Sequence, residues 1–206
     1  TTFLTTMVGF YEQKNVALDA TFGAVDSVIL YTANNSWHGL NAIQIADPVV
    51  PPVVTTSGGT TAFTEGNNVT STPVVIDSGI TLTDADSSTL DSATVSITGN
   101  FQNGQDVLAF TNNPATMGNI SGSYNAGNGQ LFLSSAGATA TVAQWQAALR
   151  SVTYTDSSNS PNTSNRTVSF VVNDGNSNST AGSKVVSVTA VNDTPVTSAS
   201  GGQTAF

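Results

Sequence analysis

Residues 185–195 read Val-Val-Ser-Val-Thr-Ala-Val-Asn-Asp-Thr-Pro. The β-branched residues and the alternation of apolar with small or polar side chains predict a half-buried β-strand. The strand pattern stops at Asn192 and Asp193, and Pro195 follows. Proline cannot donate a backbone hydrogen bond, and it restricts the residue before it. The stretch therefore predicts a strand that ends in two oxygen-bearing side chains and a stiff exit.

The same kind of pattern recurs upstream, over residues 53–195. Strand-like runs cover 93–97, 131–133, 152–154, 168–172 and 185–191. Turn-forming residues separate these runs at 99–100, 103–104, 125–129 and 174–175. About seven short strands punctuated by turns are typical of an antiparallel β-sandwich.

One segment, residues 141–150, breaks the strand pattern. Thr141 and Gln144 have the spacing of a capping box, which predicts a helix start. Val142, Trp145 and Leu149 then share one helical face. The segment predicts a single short helix that closes the sandwich, with Trp145 in the core.

A duplicated segment gives the domain organisation. Residues 57–63 read SGGTTAF, and residues 200–206, which lie 143 positions later, read SGGQTAF. Repetition at a fixed period indicates a tandem array, here with a whole domain as its unit. The predicted boundaries are 1–52 for the final strands of a preceding β-sandwich with a Pro-rich linker, 53–195 for one complete unit, and 196–206 for a linker and the first strand of the next.

The charge balance of the chain excludes several classes of function. Four Lys and Arg stand against 13 Asp and Glu, for a net charge of −9. Such a chain lacks the basic surface that nucleic acid requires, and no apolar run is long enough to span a bilayer. The absence of cysteine excludes disulfides and cysteine–metal sites. An acidic chain with few lysines favours cations as partners, and its composition suits a secreted surface protein.

The acidic residues of the 53–195 unit lie at the ends of the predicted strands. Calcium binds six to eight oxygen ligands, and carboxylates, carboxamides and carbonyls all serve. An Asp-x-Asp step in a loop can direct two carboxylates to one point. The candidate metal ligands are Glu65, Asp84, Asp86, Asp174, Asn192 and Asp193.

Four motifs in this order resemble the cadherin repeat. They are Glu65-Gly66, Asp84-Ala-Asp86, Asp174-Gly175 and Asn192-Asp-Thr-Pro195. Residues 57–206 look most like the cadherin-like tandem repeats of large bacterial surface adhesins, whereas residues 1–50 weakly resemble the end of a jelly-roll domain. The resemblance implies an all-β, Greek-key sandwich of the cadherin or immunoglobulin type.

The resemblance also implies a division of the ligands between two half-sites. Asp84, Asp86 and Asp174 would form an upper half-site facing the linker around Asp47. Glu65, Asn192 and Asp193 would form a lower half-site facing the next repeat. The cofactor implied is Ca²⁺, and neighbouring repeats of the same chain are the implied partners. The upper site is expected to bind calcium better than the lower one in this chain.

Catalysis finds little support in the sequence. The single histidine, His38, has no nucleophile motif around it, and no phosphate-binding loop occurs. We therefore expect no enzymatic activity. Lys184 could in principle form an isopeptide cross-link, but Lys14 and Lys184 are the only lysines of the chain, and we do not expect one.

Two non-enzymatic alternatives stay open. A carbohydrate-binding β-sandwich module would expose aromatic side chains such as Tyr31, Trp37 and Tyr124. A subunit of an extracellular filament would assemble by strand exchange through residues 1–50 or 197–206. The sequence favours a calcium-rigidified, extracellular repeat of a large secreted or cell-surface adhesin, a structural stalk and adhesion unit without membrane insertion.

Overall fold

The computed structural model describes residues 49–195, which comprise eleven β-strands and two α-helices. The strands are β1 (Val53–Thr55), β2 (Thr60–Thr64), β3 (Val74–Val75), β4 (Thr81–Thr83), β5 (Ser92–Gly99), β6 (Asp106–Ala109), β7 (Ile120–Asn125), β8 (Gln130–Ser135), β9 (Thr153–Asp156), β10 (Arg166–Asn173) and β11 (Gly182–Thr189). The helices are α1 (Pro114–Met117) and α2 (Val142–Arg150). The predictions for residues 1–48 and 196–206 lie outside the described residues.

The strands form an all-β sandwich, as predicted. One sheet has six strands in the order β2-β11-β10-β5-β8-β7, and a three-stranded sheet has the order β3-β9-β6. The short pair β1-β4 forms a further sheet. All pairs are antiparallel except β2 with β11, which run parallel with Phe63 opposite Val188. This parallel pair was not predicted from the alternation, because a side-chain period of two does not encode strand direction.

The prediction of about seven strands was too low because the first part of the unit is broken into short pieces. Strand β1 pairs with β4, but the chain then crosses at Ser57-Gly58-Gly59 and β2 joins β11 in the six-stranded sheet. A turn at Asp77–Gly79 similarly separates β3 from β4. The strands on either side of these two breaks are only two to five residues long. Alternation of apolar and polar residues over so few positions does not identify them as separate strands.

The crossing between sheets is held by a buried polar group. Lys184, only 5% exposed, donates from Nζ to Ser57 O at 3.0 Å, Ser57 Oγ at 2.8 Å and Gly58 O at 2.9 Å. The carboxylate of Asp77 accepts from Ser57 N at 2.7 Å, from Ser57 Oγ at 2.6 Å and from Gly79 N at 3.0 Å. All three ammonium donors of Lys184 are thus used, which gives this lysine a structural role.

The hydrogen bonds of Asp77 to Ser57 and Gly79 form an anchor for this crossing, and the dependence of the unfolding free energy on acid pH tests it. Burial alone would raise the pKa of Asp77, but hydrogen bonds from Ser57 and Gly79 and the charge of Lys184 bring it below its usual value of 3.8. A carboxyl with a depressed folded-state pKa stabilises the fold above its unfolded-state pKa, and that contribution is lost as the pH falls through the folded-state pKa. We expect Asp77→Asn to lose about 1–3 kcal/mol of unfolding free energy at neutral pH.

The Asp77→Asn variant should also lose less stability than the parent between about pH 5 and pH 2. Urea unfolding at a series of pH values measures both quantities. Asparagine retains the shape but turns one acceptor oxygen into an amide donor, so the loss at neutral pH contains a lost hydrogen bond and the pH dependence reports the charge. An identical acid dependence in the two proteins would contradict the assignment of the anchor to the ionised carboxylate.

Helix α2 confirms the predicted capping box and the predicted core position of its tryptophan. Thr141 Oγ1 accepts from Gln144 N at 3.3 Å, and Gln144 Oε1 accepts from Thr141 N at 2.9 Å. Trp145 is fully buried, and its indole N–H donates to Leu90 O at 2.9 Å. The helix also provides a hydrogen-bond acceptor for the backbone of β4, since Gln146 Oε1 accepts from Leu82 N at 3.0 Å. The four-residue helix α1 was not predicted.

Candidate metal site and relation to known proteins

The predicted upper half-site comes together at one end of the sandwich. Asp84 and Asp86 follow β4, and Asp174 follows β10. Each of the three offers a carboxylate oxygen, and these oxygens all lie within 4.8 Å of one another. Asp174 is buried, Asp84 is half-buried and Asp86 is exposed. A group of three carboxylates at this spacing could hold a metal ion.

Local hydrogen bonds fix the two loops and leave oxygens for a ligand. Asp84 Oδ1 accepts from Asp86 N at 3.1 Å and from Ser87 N at 2.8 Å. In the same way, Asp174 Oδ1 accepts from Asn176 N at 2.6 Å and from Ser177 N at 2.7 Å. Each aspartate therefore shapes its own turn with Oδ1. Asp174 Oδ2 accepts from Ser177 Oγ of the same turn at 3.2 Å, whereas Asp84 Oδ2 takes no part in its turn.

The second oxygen of Asp84 is an unsatisfied buried acceptor. Asp84 Oδ2 is shielded from solvent and has no hydrogen-bond partner within residues 49–195. A buried polar atom without a partner is costly, and in native proteins it commonly marks an unseen ion or water. A cation between the three carboxylates would supply the missing contact. The donor set, which is all oxygen, fits a hard cation such as calcium.

Asp174 is buried but kept ionised. Burial acts to raise its pKa, yet hydrogen bonds from the backbone of Ser177 and Asn176 and from the Ser177 hydroxyl outweigh it, so the pKa lies below the usual value. Gly175, with φ of +98°, makes the tight turn that this arrangement needs. The site therefore presents a charged oxygen at the end of β10.

Asp86 links the cluster to the segment that enters the domain. Its Oδ2 atom accepts from Val50 N at 3.0 Å, just before β1. The predicted contribution of Asp47 lies outside the described residues. Within the described residues, Asp86 belongs to the carboxylate cluster and also binds the backbone of Val50. An ion bound by the cluster would therefore help to fix the position of the segment that leads into β1.

The predicted lower half-site occupies the opposite end of β11. Glu65 Oε2 accepts from Val191 N at 2.9 Å, while Oε1 is buried and has no partner within the described part of the chain. Asp193 Oδ1 accepts from Asn68 N at 2.8 Å. Asn192 is exposed. These contacts tie the segment after β2 to the segment after β11, and metal binding by Glu65, Asn192 and Asp193 stays a prediction.

A buried ionic group was missed by the sequence reasoning. Arg166 and the carboxylates of Asp106 and Asp156 have no exposed side-chain surface. Arg166 Nε lies 2.9 Å from Asp106 Oδ2, and Nη2 lies 3.2 Å from Asp156 Oδ2. Burial raises the pKa of Asp156, and the neighbouring Asp106 raises it further. No local motif joins positions 106, 156 and 166, so only the fold reveals them as one group.

Tyr124 does not match a carbohydrate-stacking platform. Its ring is half-buried against the core, and its hydroxyl donates to Asp106 O at 2.7 Å. Trp37 and Tyr31, the other two candidate aromatics, lie outside the described residues. Among the residues that are described, no helix is long and apolar enough to cross a membrane.

Comparison with known proteins gives one informative likeness. The chain is 36% identical over 124 residues to halomucin, a large surface protein of Haloquadratum walsbyi. The match covers 59% of this chain but 1% of halomucin. No protein-family model matches the chain, and no solved structure matches it significantly. The likeness agrees with a surface-associated structural module.

Proposed function

We propose that the chain contains a calcium-rigidified, cadherin-like repeat of a large extracellular adhesin, and that it serves as a stalk and adhesion unit. The observation that carries the proposal is the convergence of Asp84, Asp86 and Asp174, with Asp84 Oδ2 buried and without a partner in the described structure. Glu65 and Asp193, at the opposite end of β11, would contribute the second half-site. Neighbouring repeats of the same chain are the proposed partners.

Calcium is the cation that these groups favour. The three aspartates supply carboxylate oxygens only, without nitrogen or sulfur, which disfavours zinc and copper. Calcium tolerates irregular geometry and a variable number of ligands, whereas magnesium demands a near-ideal octahedron. Two of the aspartates sit in turns whose shape is already fixed by hydrogen bonds, and water and backbone carbonyls would complete the shell.

The likeness to halomucin supports the part of the proposal that places this unit in a long, modular surface protein. A match that occupies 1% of a much longer surface protein is what one module of a long, modular chain would give. The duplicated segments 57–63 and 200–206 point the same way. In such an array, a cation bound where one unit meets the next would restrict bending at the junction. Without the ion, the carboxylates repel one another.

Thermal unfolding in calcium and in chelator tests the site. Calcium at 100 times its dissociation constant stabilises the native state by about 2.7 kcal/mol. For a chain of this size the expected rise in Tm is roughly 5–11 °C. Asp84→Asn should abolish most of that rise, because it keeps the turn-forming Oδ1 atom and replaces the unpartnered Oδ2 atom with an amide donor.

Asp193→Asn is the matched control, since it removes the same charge at the other end of β11. It should retain most of the calcium-dependent rise in Tm. Equal losses in the two variants would refute the ranking of the upper site above the lower one. A parent protein whose Tm is the same in millimolar calcium and in chelator would refute calcium rigidification itself.

A further inference from the structure

The chain contains two Asn-Gly steps, and they share an identical tripeptide. Asn103-Gly104-Gln105 precedes β6, and Asn128-Gly129-Gln130 joins β7 to β8. Asparagine followed by glycine is chemically labile, because glycine has no side chain to hinder attack of its nitrogen on the asparagine amide. Since the local sequence is the same, any difference in reactivity between the two steps must come from the fold.

The fold restrains the second step. Asn128 Oδ1 accepts from Gln130 N at 3.2 Å, and Asn128 Nδ2 donates to Gln130 Oε1 at 3.0 Å. The nitrogen that would attack, Gly129 N, donates to Asn125 O at 3.0 Å. Gly129 is also buried, with its α-carbon packed against the ring of Phe101. Both reacting groups are therefore engaged.

The first step has none of these restraints within residues 49–195. The Asn103 side chain is exposed and makes no hydrogen bond to any described residue, and Gly104 N makes none either. Gly104 is exposed, has a φ of +79° and has open space around its α-carbon. The attacking nitrogen and the side-chain amide are thus both unpaired among the described residues, and the hydrogen bonds that close this turn come from Gln105 N and Asp106 N to Gln102 O.

We propose that Asn103 is a site of spontaneous deamidation in the folded protein, and that Asn128 is protected. Gly104 N loses its proton and bonds to Cγ of Asn103, the Cγ–Nδ2 bond breaks, and ammonia leaves with one proton gained. The product is a five-membered succinimide. Water then opens either carbonyl of the ring and yields aspartate or isoaspartate, so the net change is addition of water and loss of ammonia.

The product would alter a turn that supports the buried ionic group. Gln105 N and Asp106 N both donate to Gln102 O, and Gln102 N donates to Asp106 Oδ2 at 2.7 Å. Isoaspartate inserts an extra backbone methylene into this turn. The modification therefore acts on the residue that pairs with Arg166. This inference does not depend on calcium or on adhesion.

The test is ageing of the full chain at mildly alkaline pH, followed by chymotryptic peptide mapping. Cleavage at Phe101 and Phe110 isolates Asn103, and cleavage at Tyr124 and Phe132 isolates Asn128. In the folded protein, we expect the Asn103 peptide to convert at least about tenfold faster, since opening two or more hydrogen bonds at Asn128 costs more than 1.4 kcal/mol. In denaturant, the two rates should converge because the tripeptides are identical.

Three variants complete the design. Asn103→Gln should remove the fast modification and leave the Asn128 rate unchanged. Gly104→Ala should slow it, because a methyl group hinders the attack. Asn103→Asp reproduces the charge without the extra methylene, so a larger fall in Tm in the aged protein than in this variant would identify isoaspartate. Equal rates at Asn103 and Asn128 in the folded chain, or faster conversion of Asn128, would overturn the proposal.

Discussion

Replacing Arg166 with methionine should lower the unfolding free energy by about 3–5 kcal/mol. The guanidinium is fully buried and donates to both Asp106 and Asp156, and Tyr154 donates its hydroxyl to Asp106 Oδ1 at 2.6 Å. Methionine fills part of the space but leaves two carboxylates buried without a cation. Urea unfolding at neutral pH, with the denaturant slope compared between the proteins, measures the loss.

The pH dependence of the Arg166→Met variant should differ in sign from that of a depressed carboxyl. Burial and the neighbouring Asp106 already raise the pKa of Asp156, and removal of the Arg166 charge, which lowers that pKa, raises it further above the unfolded-state value. Groups with a raised folded-state pKa favour the fold below the unfolded-state pKa and oppose it as the pH rises. The variant should therefore recover part of its lost stability, relative to the parent, on mild acidification.

Asp156→Asn is the matched control for this prediction. It keeps an acceptor for Ser158 N, which donates to Asp156 Oδ1 at 2.8 Å, and it leaves the Arg166–Asp106 pair intact. Burial already raises the pKa of Asp156, but its replacement leaves the buried Arg166 Nη2 without its acceptor, so the cost should be about 1–3 kcal/mol and smaller than that of Arg166→Met. A larger loss from Asp156→Asn than from Arg166→Met would contradict this account of the ionic group.

Replacing Trp145 with alanine should lower the unfolding free energy by about 3–5 kcal/mol. Trp145 is fully buried on α2, and its removal leaves a large void together with an unpaired Leu90 carbonyl. Trp145→Phe retains most of the ring area but loses the hydrogen bond, so about 1–3 kcal/mol is expected. Denaturant unfolding followed by far-ultraviolet circular dichroism measures both.

Val142→Ala, on the same helix, separates the effect of the core from that of helix propensity. Val142 is only partly buried, and alanine is the better helix former. The loss should therefore stay below about 1.5 kcal/mol. A Val142→Ala loss that equals the Trp145→Ala loss would contradict the central position of Trp145 in the core.

The sequence was a good guide to features that are encoded locally. The alternation around residues 168–172 and 185–191 predicted β10 and β11, and the Thr141–Gln144 spacing predicted the start of α2. The meeting of Asp84 and Asp86 with Asp174 was expected from the resemblance of the motifs, not from spacing alone. The structure brings these three carboxylates together, while the binding of an ion by them stays a proposal.

Features that depend on distant pairing escaped prediction for a physical reason. The parallel pairing of β2 with β11 joins residues more than 120 positions apart, and alternation gives no information on strand direction. Lys184 reads as one more polar residue in a strand, and only the crossing at Ser57 explains its burial. The burial of Arg166 is likewise explained only by its ion pairs with two aspartates, Asp106 at the start of β6 and Asp156 at the end of β9.

The parallel alignment of β2 and β11 also determines how the unit meets mechanical tension. The start of β2 lies beside the start of β11, and their ends lie together at Thr64 and Thr189. A pull toward the amino terminus on Thr60 and toward the carboxyl terminus on Thr189 therefore loads the hydrogen bonds between these strands in shear. Bonds loaded in shear must fail together instead of opening one after another, so this edge of the sheet resists extension.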